Sequence, residues 1–475
     1  MLLQLPDSCL LSVLQFCADD PRSLFSAARA HSRLHQAAAV AASSMSVLLQ
    51  QQQQADSALL YLTNHGQYVS SISISLMPSD ATISMRQLPQ NLRRLESLQV
   101  RGLHVQLQPE DGFPGVLHAG MPLRQLQLDT CTLLDGEEGL AAALSLLPSL
   151  QNLTIEPPPP RDSMHSVRSP SNVAQLLPQL TYLNLIGCAR FQDLDSLQGL
   201  TMLQDLRLRL QPAGTVRASA LSSSAQLTHL EVLGQVTVDM LSSSSFEAAL
   251  FAGMTQLQHV ELKLCAVQGG VAGVTEVLSH LQHMQQLTYL CLMRSLRDAA
   301  PAAAYLALVA SSKLQHLDIS CCRLPGGVWQ HVFPAGRQLP HLQSLDISGW
   351  MDGAGSLVLE APEGSTLVSC CPGLRSLWMS HLKYSEGQVA SLTGLSALQH
   401  LCLWPVNTPP FDGMGSVCQL TGLTLLRLSD PVGANSADSR LLWQLTQLRQ
   451  LQYLYYAGRR DGQLKIKAWR VEVSG

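Results

Sequence analysis

Lys313-Leu314-Gln315-His316-Leu317-Asp318-Ile319-Ser320-Cys321-Cys322 is the stretch that decides the fold. Leu317 and Ile319 alternate with His316, Asp318 and Ser320, which reads as a short strand with one apolar and one polar face. One such strand cannot bury its apolar side alone, so copies of it must stack. The skeleton Leu314, Leu317, Ile319 recurs with first leucines at 95, 123, 150, 180, 203, 227, 257, 287, 314, 342, 374, 398, 423 and 451. Val69, Ile72 and Ile74 form a weaker copy in front. The steps run from 23 residues (180 to 203) to 32 (342 to 374). A chain of 475 residues exceeds what one compact core usually organises, but a stack grows along one axis and escapes that limit.

The spacing L-x-x-L-x-L-x-x-N/C resembles the leucine-rich repeat. Cys131, Cys188, Cys265 and Cys322 stand at the ninth position, which is similar to the cysteine-containing class of that family, although other copies carry different residues there. The resemblance implies an α/β leucine-rich repeat solenoid, with parallel strands on the concave face and helices or irregular returns on the convex face. Val274, Val277, Leu278, Leu281 and Met284 recur at helical spacing and predict one such helix. Pro157 to Pro160, Ser222 to Ser224, Ser242 to Ser245, and Pro409 with Pro410 mark irregular returns. Leu464, Ile466, Ala468, Val471 and Val473 alternate with polar residues and predict a terminal strand that closes the stack.

Charge is nearly balanced, at 30 basic against 34 acidic residues, which argues against nucleic acid as the main partner. The twelve cysteines include no C-x-x-C, and Cys321-Cys322 and Cys370-Cys371 are adjacent pairs poorly suited to bridging, so free buried thiols are expected. Pro6 and Asp7 interrupt the first apolar run, so a signal peptide is not expected, and no uncharged apolar stretch reaches ~18 residues, so no membrane span is expected. There is no G-x-S-x-G, P-loop or G-x-G-x-x-G, so intrinsic catalysis is not expected, and since strand alternation already explains why His259 and Glu261 share a face and no third ligand follows, neither a metal nor a cofactor is expected.

Residues 1–40 lie outside the repeat. Leu10, Leu11, Val13 and Leu14 make one helical face, and Asp20-Pro21 starts a second helix with Leu24, Phe25 and Ala28. Leu5-Pro6, this first helix, the turn and the basic segment His31, Arg33, His35 resemble an F-box, with Leu34 where that family has tryptophan and Ala28 where it has valine. The resemblance implies a small helical module that docks on the adaptor subunit of a cullin-RING ubiquitin ligase through Leu5, Pro6, Leu10, Val13, Leu14 and Leu24. The alternative reading of the same residues is a helical cap on the first repeat. Residues 41–66, rich in Ala and Gln, are expected as a helical linker, and 67–475 as the repeat domain.

Strand alternation fixes which residues face outward, and like positions on neighbouring strands ~4.8 Å apart form rows. One row set combines His229, Glu231, His259, Glu261, Tyr289, His316, Asp318 and Asp346, suited to a basic partner segment. An aromatic region follows at Trp378, Trp404, Tyr453 and Tyr455, residue types that anchor interfaces. Together with this face, the F-box resemblance implies a non-catalytic substrate receptor of a cullin-RING ligase that holds an unidentified target protein there, expected in the cytoplasm and with the nucleus as a second location. The alternative is a cytoskeletal or axonemal scaffold with no ligase association.

Overall fold

The computed structural model describes residues 6, 9–10, 12, 14, 34, 44–76, 84–85, 88–105, 117, 121–133, 136–156, 173–186, 197–210, 215–217, 221, 223–234, 245–349, 360–404, 414–430, 445, 448–460 and 463–470. They fall into two units, 1–214 with 219–224, and 215–218 with 225–475.

In the first unit, β1 (Ser44–Leu49), β2 (Ser71–Leu76), β3 (Ser97–Arg101), β4 (Gln125–Asp129), β5 (Asn152–Glu156), β6 (Tyr182–Ile186) and β7 (Asp205–Leu210) pair in parallel, each with the next. Their register sets Ile72, Leu98, Leu126, Leu153, Leu183 and Leu206 in one row, all buried. The opposite face satisfies itself: Gln99 and Gln127 both donate to Asp129 Oδ2, at 3.4 and 2.7 Å.

β1 corrects the expectation of a helical linker over 41–66. Ser44-Met45-Ser46-Val47-Leu48-Leu49 pairs residue for residue with Ser71–Leu76, so the ladder begins before residue 67. Ladder hydrogen bonds outweigh the helix preference of the neighbouring Ala and Gln. The helix α1 forms only over Gln52–His65. There the glutamine run has a local task, because Gln54 Oε1 accepts from the N–H groups of Gln50 (2.6 Å) and Gln51 (3.3 Å) ahead of the first turn. A second helix, α2, spans Gly136–Ser145.

The second unit continues the pattern with β8 (His229–Gly234), β9 (His259–Lys263), β10 (Tyr289–Cys291), β11 (His316–Asp318), β12 (Ser344–Asp346), β13 (Ser376–Ser380), β14 (His400–Trp404), β15 (Leu425–Asp430) and β16 (Tyr453–Arg460), all parallel. Leu230, Val260, Leu290, Leu317, Leu345, Leu377, Leu401, Leu426 and Leu454 form its buried row. β17 (Gln463–Arg470) runs antiparallel to β16 and ends the ladder, as the alternation of that segment predicts. Return segments carry α3 (Gly270–Leu281), α4 (Gly364–Cys370), α5 (Glu386–Ser391) and a 3-10 helix at Ala302–Val309. α3 buries Val274, Val277, Leu278 and Leu281, the face its spacing predicts.

Several strand exits share one solution. The eighth residue of the repeat turns the chain in the left-handed region: Thr130 (φ 51°), Leu264 (62°), Arg294 (61°), Cys321 (55°) and His381 (59°), with Gly102 (73°) in the same place. At four of these the ninth then satisfies a carbonyl of the preceding repeat, while after Gly102 and His381 it is a buried leucine, Leu103 and Leu382. Cys131 Sγ donates to Val100 O (3.2 Å), Cys265 Sγ to Val232 O (3.6 Å) and Cys322 Sγ to Leu292 O (2.9 Å). Ser295 occupies the same position and donates through Oγ to Leu262 O at 3.0 Å. All cysteines among the described residues are free, and burial pushes the thiols of Cys131, Cys265 and Cys322 up to about 12, so they act as donors rather than thiolates.

Candidate functional site

The polar face of the second unit is built by strand register. His229, His259, Tyr289 and His316 are directly opposed on β8 to β11, and their rings stack in one column, with centroids 4.0, 4.0 and 4.2 Å apart and planes within 11, 5 and 5° of parallel. Beyond His316 the row continues through Ser344, Ser376, His400, Leu425 and Tyr453, and Tyr453 is 42 % exposed.

The row beside it runs Glu231, Glu261, Cys291, Asp318, Asp346, Trp378, Cys402, Arg427, Tyr455. Glu261 sits between a histidine and a lysine: His259 Nε2 lies 3.4 Å from Oε2 and Lys263 Nζ 2.5 Å from Oε1. The His259 hydrogen bond, against the opposing effect of burial and with help from Lys263, holds Glu261 down at about 2. Burial acts to lower Lys263, but the hydrogen bond and charge of Glu261 outweigh it and leave that ammonium raised. His229 Nε2 and Glu231 Oε2 repeat the pairing more loosely, at 3.9 Å. Burial lowers His316, outweighing the pull of Asp318 and Glu261 toward its charged form.

Asp318 and Asp346 face each other across β11 and β12 as Glu231 and Glu261 do across β8 and β9, but their partners are serines and Cys291 rather than histidine and lysine. Asp318 accepts from Ser320 N–H (2.9 Å), Ser320 Oγ (2.6 Å) and Cys291 Sγ (3.3 Å). Asp346 accepts from Ser348 N–H at 2.9 Å. Burial first, then the charge of Asp318, push Asp346 up to about 6 despite the hydrogen bonds from Ser348. Cys291 is at an outward position by count, yet it is fully buried beneath its neighbours.

The aromatic residues expected as one region divide. Trp378 and Tyr455 are brought together by Arg427, whose guanidinium carbon lies 4.9 Å from the Trp378 ring centre and 4.6 Å from that of Tyr455. Cys402, on the strand between, is too short to intervene and is 4 % exposed. Trp404 instead tilts onto His381, with centroids 5.5 Å apart and planes at 41°. The two regions differ because position five places Trp378 and Tyr455 in one row, whereas Trp404 is at position seven. Arg427 is the residue that a search for acids and aromatics passes over. Counting position five along the repeat that starts at Leu423 finds it.

Of the residues expected to dock on a ligase adaptor, Leu5, Val13 and Leu24 lie outside the described residues. Leu10 and Leu14 are buried within the chain, as is Leu34, while Pro6 is exposed and its carbonyl accepts from the N–H groups of Cys9 and Leu10, both at 3.0 Å. Among the described residues no group of three or more His, Cys, Asp or Glu has the arrangement of a metal site, and no helix is long and apolar enough to cross a membrane.

The repeating strand, exit turn and return make this an α/β leucine-rich repeat solenoid. No family model matches the chain and no curated relative matches it. Among solved structures it is similar to an internalin from Listeria monocytogenes, at 14% identity and TM-score 0.45 over 77% of this chain and 88% of that one. It is also similar to TLR13 in a TLR13–ssRNA13 complex, at 13% identity and TM-score 0.44 over 88% of this chain and 53% of that one. Likenesses this distant carry no argument about what the chain does, and the fold stands on its own strand register.

Proposed function

We propose that the chain is a non-catalytic recognition protein whose polar face on β8 to β16 holds a segment of another protein. The observation that carries this reading is the joined set of rows: a four-ring column beside carboxylates on one side, and an aromatic pair around an arginine on the other. Large flat side chains and a fixed arginine supply contact area at low entropic cost. A photo-reactive residue replacing Tyr453 on this face should crosslink a discrete protein, whereas one replacing Val271, exposed on the outer surface of α3, should not. Equal crosslinking from both positions, or none from Tyr453, would overturn the reading.

We further propose, from the F-box resemblance of residues 1–40, that the recognised protein is a ubiquitylation target and that the N-terminal helices hold a cullin-RING ligase adaptor. Catalysis would then come from the partners, through proximity. The test is adaptor recovery with the full chain beside the double variant Leu5→Ala, Pro6→Ala. Recovery that is lost in a folded double variant supports the ligase role. No recovery with either leaves a binding scaffold whose N-terminal helices are a cap.

A further inference from the structure

Arg427 lies over the rings of both Trp378 and Tyr455. The guanidinium is held between two ring faces, so its plane is fixed without any carboxylate. Its Nε is buried and has no hydrogen-bond partner, and among the described residues no acceptor takes a hydrogen from the terminal nitrogens, which are not buried. Of the other cations in the position-five and position-seven rows, Lys263 meets Glu261 and Arg207 in the first unit meets Asp205 at 3.1 Å, while Arg101 and Arg209, also in the first unit, are exposed. Arg427 is therefore a pre-oriented donor fork that lacks an acceptor.

We propose that Arg427 is the anchor for a carboxylate carried by an Asp or Glu of the partner segment, with Trp378 and Tyr455 as positioning residues that hold the fork. The inference rests on the reading of this face as a protein-recognition surface. A planar guanidinium takes a carboxylate through two parallel N–H···O bonds, a geometry lysine cannot reproduce. Charge selects carboxylate over phosphate. One guanidinium balances one negative charge, and Asp346, next to Trp378 in the same row, disfavours a dianion nearby. The polarity of the face follows: carboxylate toward β15, basic side chains toward β11 and β12. Those strands are three to four spacings from β15, or about 14 to 19 Å at ~4.8 Å per strand. An extended segment covers that span in roughly four to six residues at ~3.3 Å each.

The test screens the full-length protein against an array of random peptides with amidated C-termini, in matched sets that contain Glu or Asp, contain phosphoserine, or contain no anionic residue. The wild type should retain the Glu or Asp set, with a basic residue four to six positions away enriched. Arg427→Gln should weaken the best peptide by about 10- to 100-fold, and Arg427→Lys by nearly as much, since the fork rather than the charge is lost. Thermal unfolding of both variants should stay close to wild type, which separates an anchor from a structural clamp. Retained peptides indifferent to Arg427→Gln, or selection of the phosphoserine or non-anionic set, would overturn the anchor while leaving the recognition face standing. No retained peptide of any set would overturn both.

Discussion

Replacing Asp346 with Asn tests the electrostatics of the face most directly. Asp346 is held at about 6 against an ordinary 3.8, by burial and by Asp318 across the strand pair. A carboxyl whose folded value is raised disfavours the folded state once it ionises. The penalty is absent below the unfolded value, grows through the interval from 3.8 to about 6, and is complete above it. At ~1.4 kcal/mol per pH unit the interval corresponds to roughly 3 kcal/mol, and water reaching the half-buried pair reduces this to about 1–3 kcal/mol. Asp346→Asn keeps an oxygen to accept from Ser348 N–H and removes the charge facing Asp318. The variant should therefore be more stable than wild type at pH 7.5 by that amount and equal to it near pH 4. Paired urea titrations at the two pH values, followed by hydrogen exchange at the amides of β11 and β12, read the difference locally. That matters because a long repeat array need not unfold in one step. A stability gain of the same size at both pH values, or none at pH 7.5, would refute the paired-carboxylate account.

Glu261 gives the opposite sign: its folded value, about 2, lies below the ordinary 4.5, so its contribution is full above pH ~4.5 and is lost as pH falls toward 2. Glu261→Gln should cost about 1–3 kcal/mol at pH 7 and about a quarter of that near pH 2.5, as measured by denaturant titration. Cys322→Ala removes the thiol donor to Leu292 O, which keeps its bond from Ser295 N–H, and should cost about 0.5–1.5 kcal/mol, whereas Cys322→Ser should recover most of it because Ser295 already fills that role one repeat earlier. Thermal unfolding of the two variants side by side decides the point. Tyr289→Ala removes a ring stacked on both His259 and His316 and should lose about 1–3 kcal/mol, with raised exchange at amides of β9 to β11 as the reading.

The repeat was legible because each buried row is written as leucine at fixed spacing, and all fourteen first leucines, from Leu95 to Leu451, are buried. The face rows were legible for the same reason, since alternation alone puts His259 and Glu261 on one side. β1 was not, because Ser44–Leu49 lacks the leucine skeleton and becomes a strand only by pairing with Ser71–Leu76. Side-chain partnerships were not legible either. That Arg427 crosses over a short Cys402 to join Trp378 and Tyr455, while Trp404 turns to His381, depends on side-chain lengths on neighbouring strands rather than on spacing. The burial of Cys291 at an outward position has the same origin: small side chains between large ones are covered by them.

The ring column also bears on the kinetics of association. Four side chains locked face to face have already given up their rotamer freedom when the chain folds, so an incoming segment freezes little on this side of the contact. Loosening the column at one ring frees its neighbours, and a substitution there should act mainly on how long a complex lasts rather than on how fast it forms.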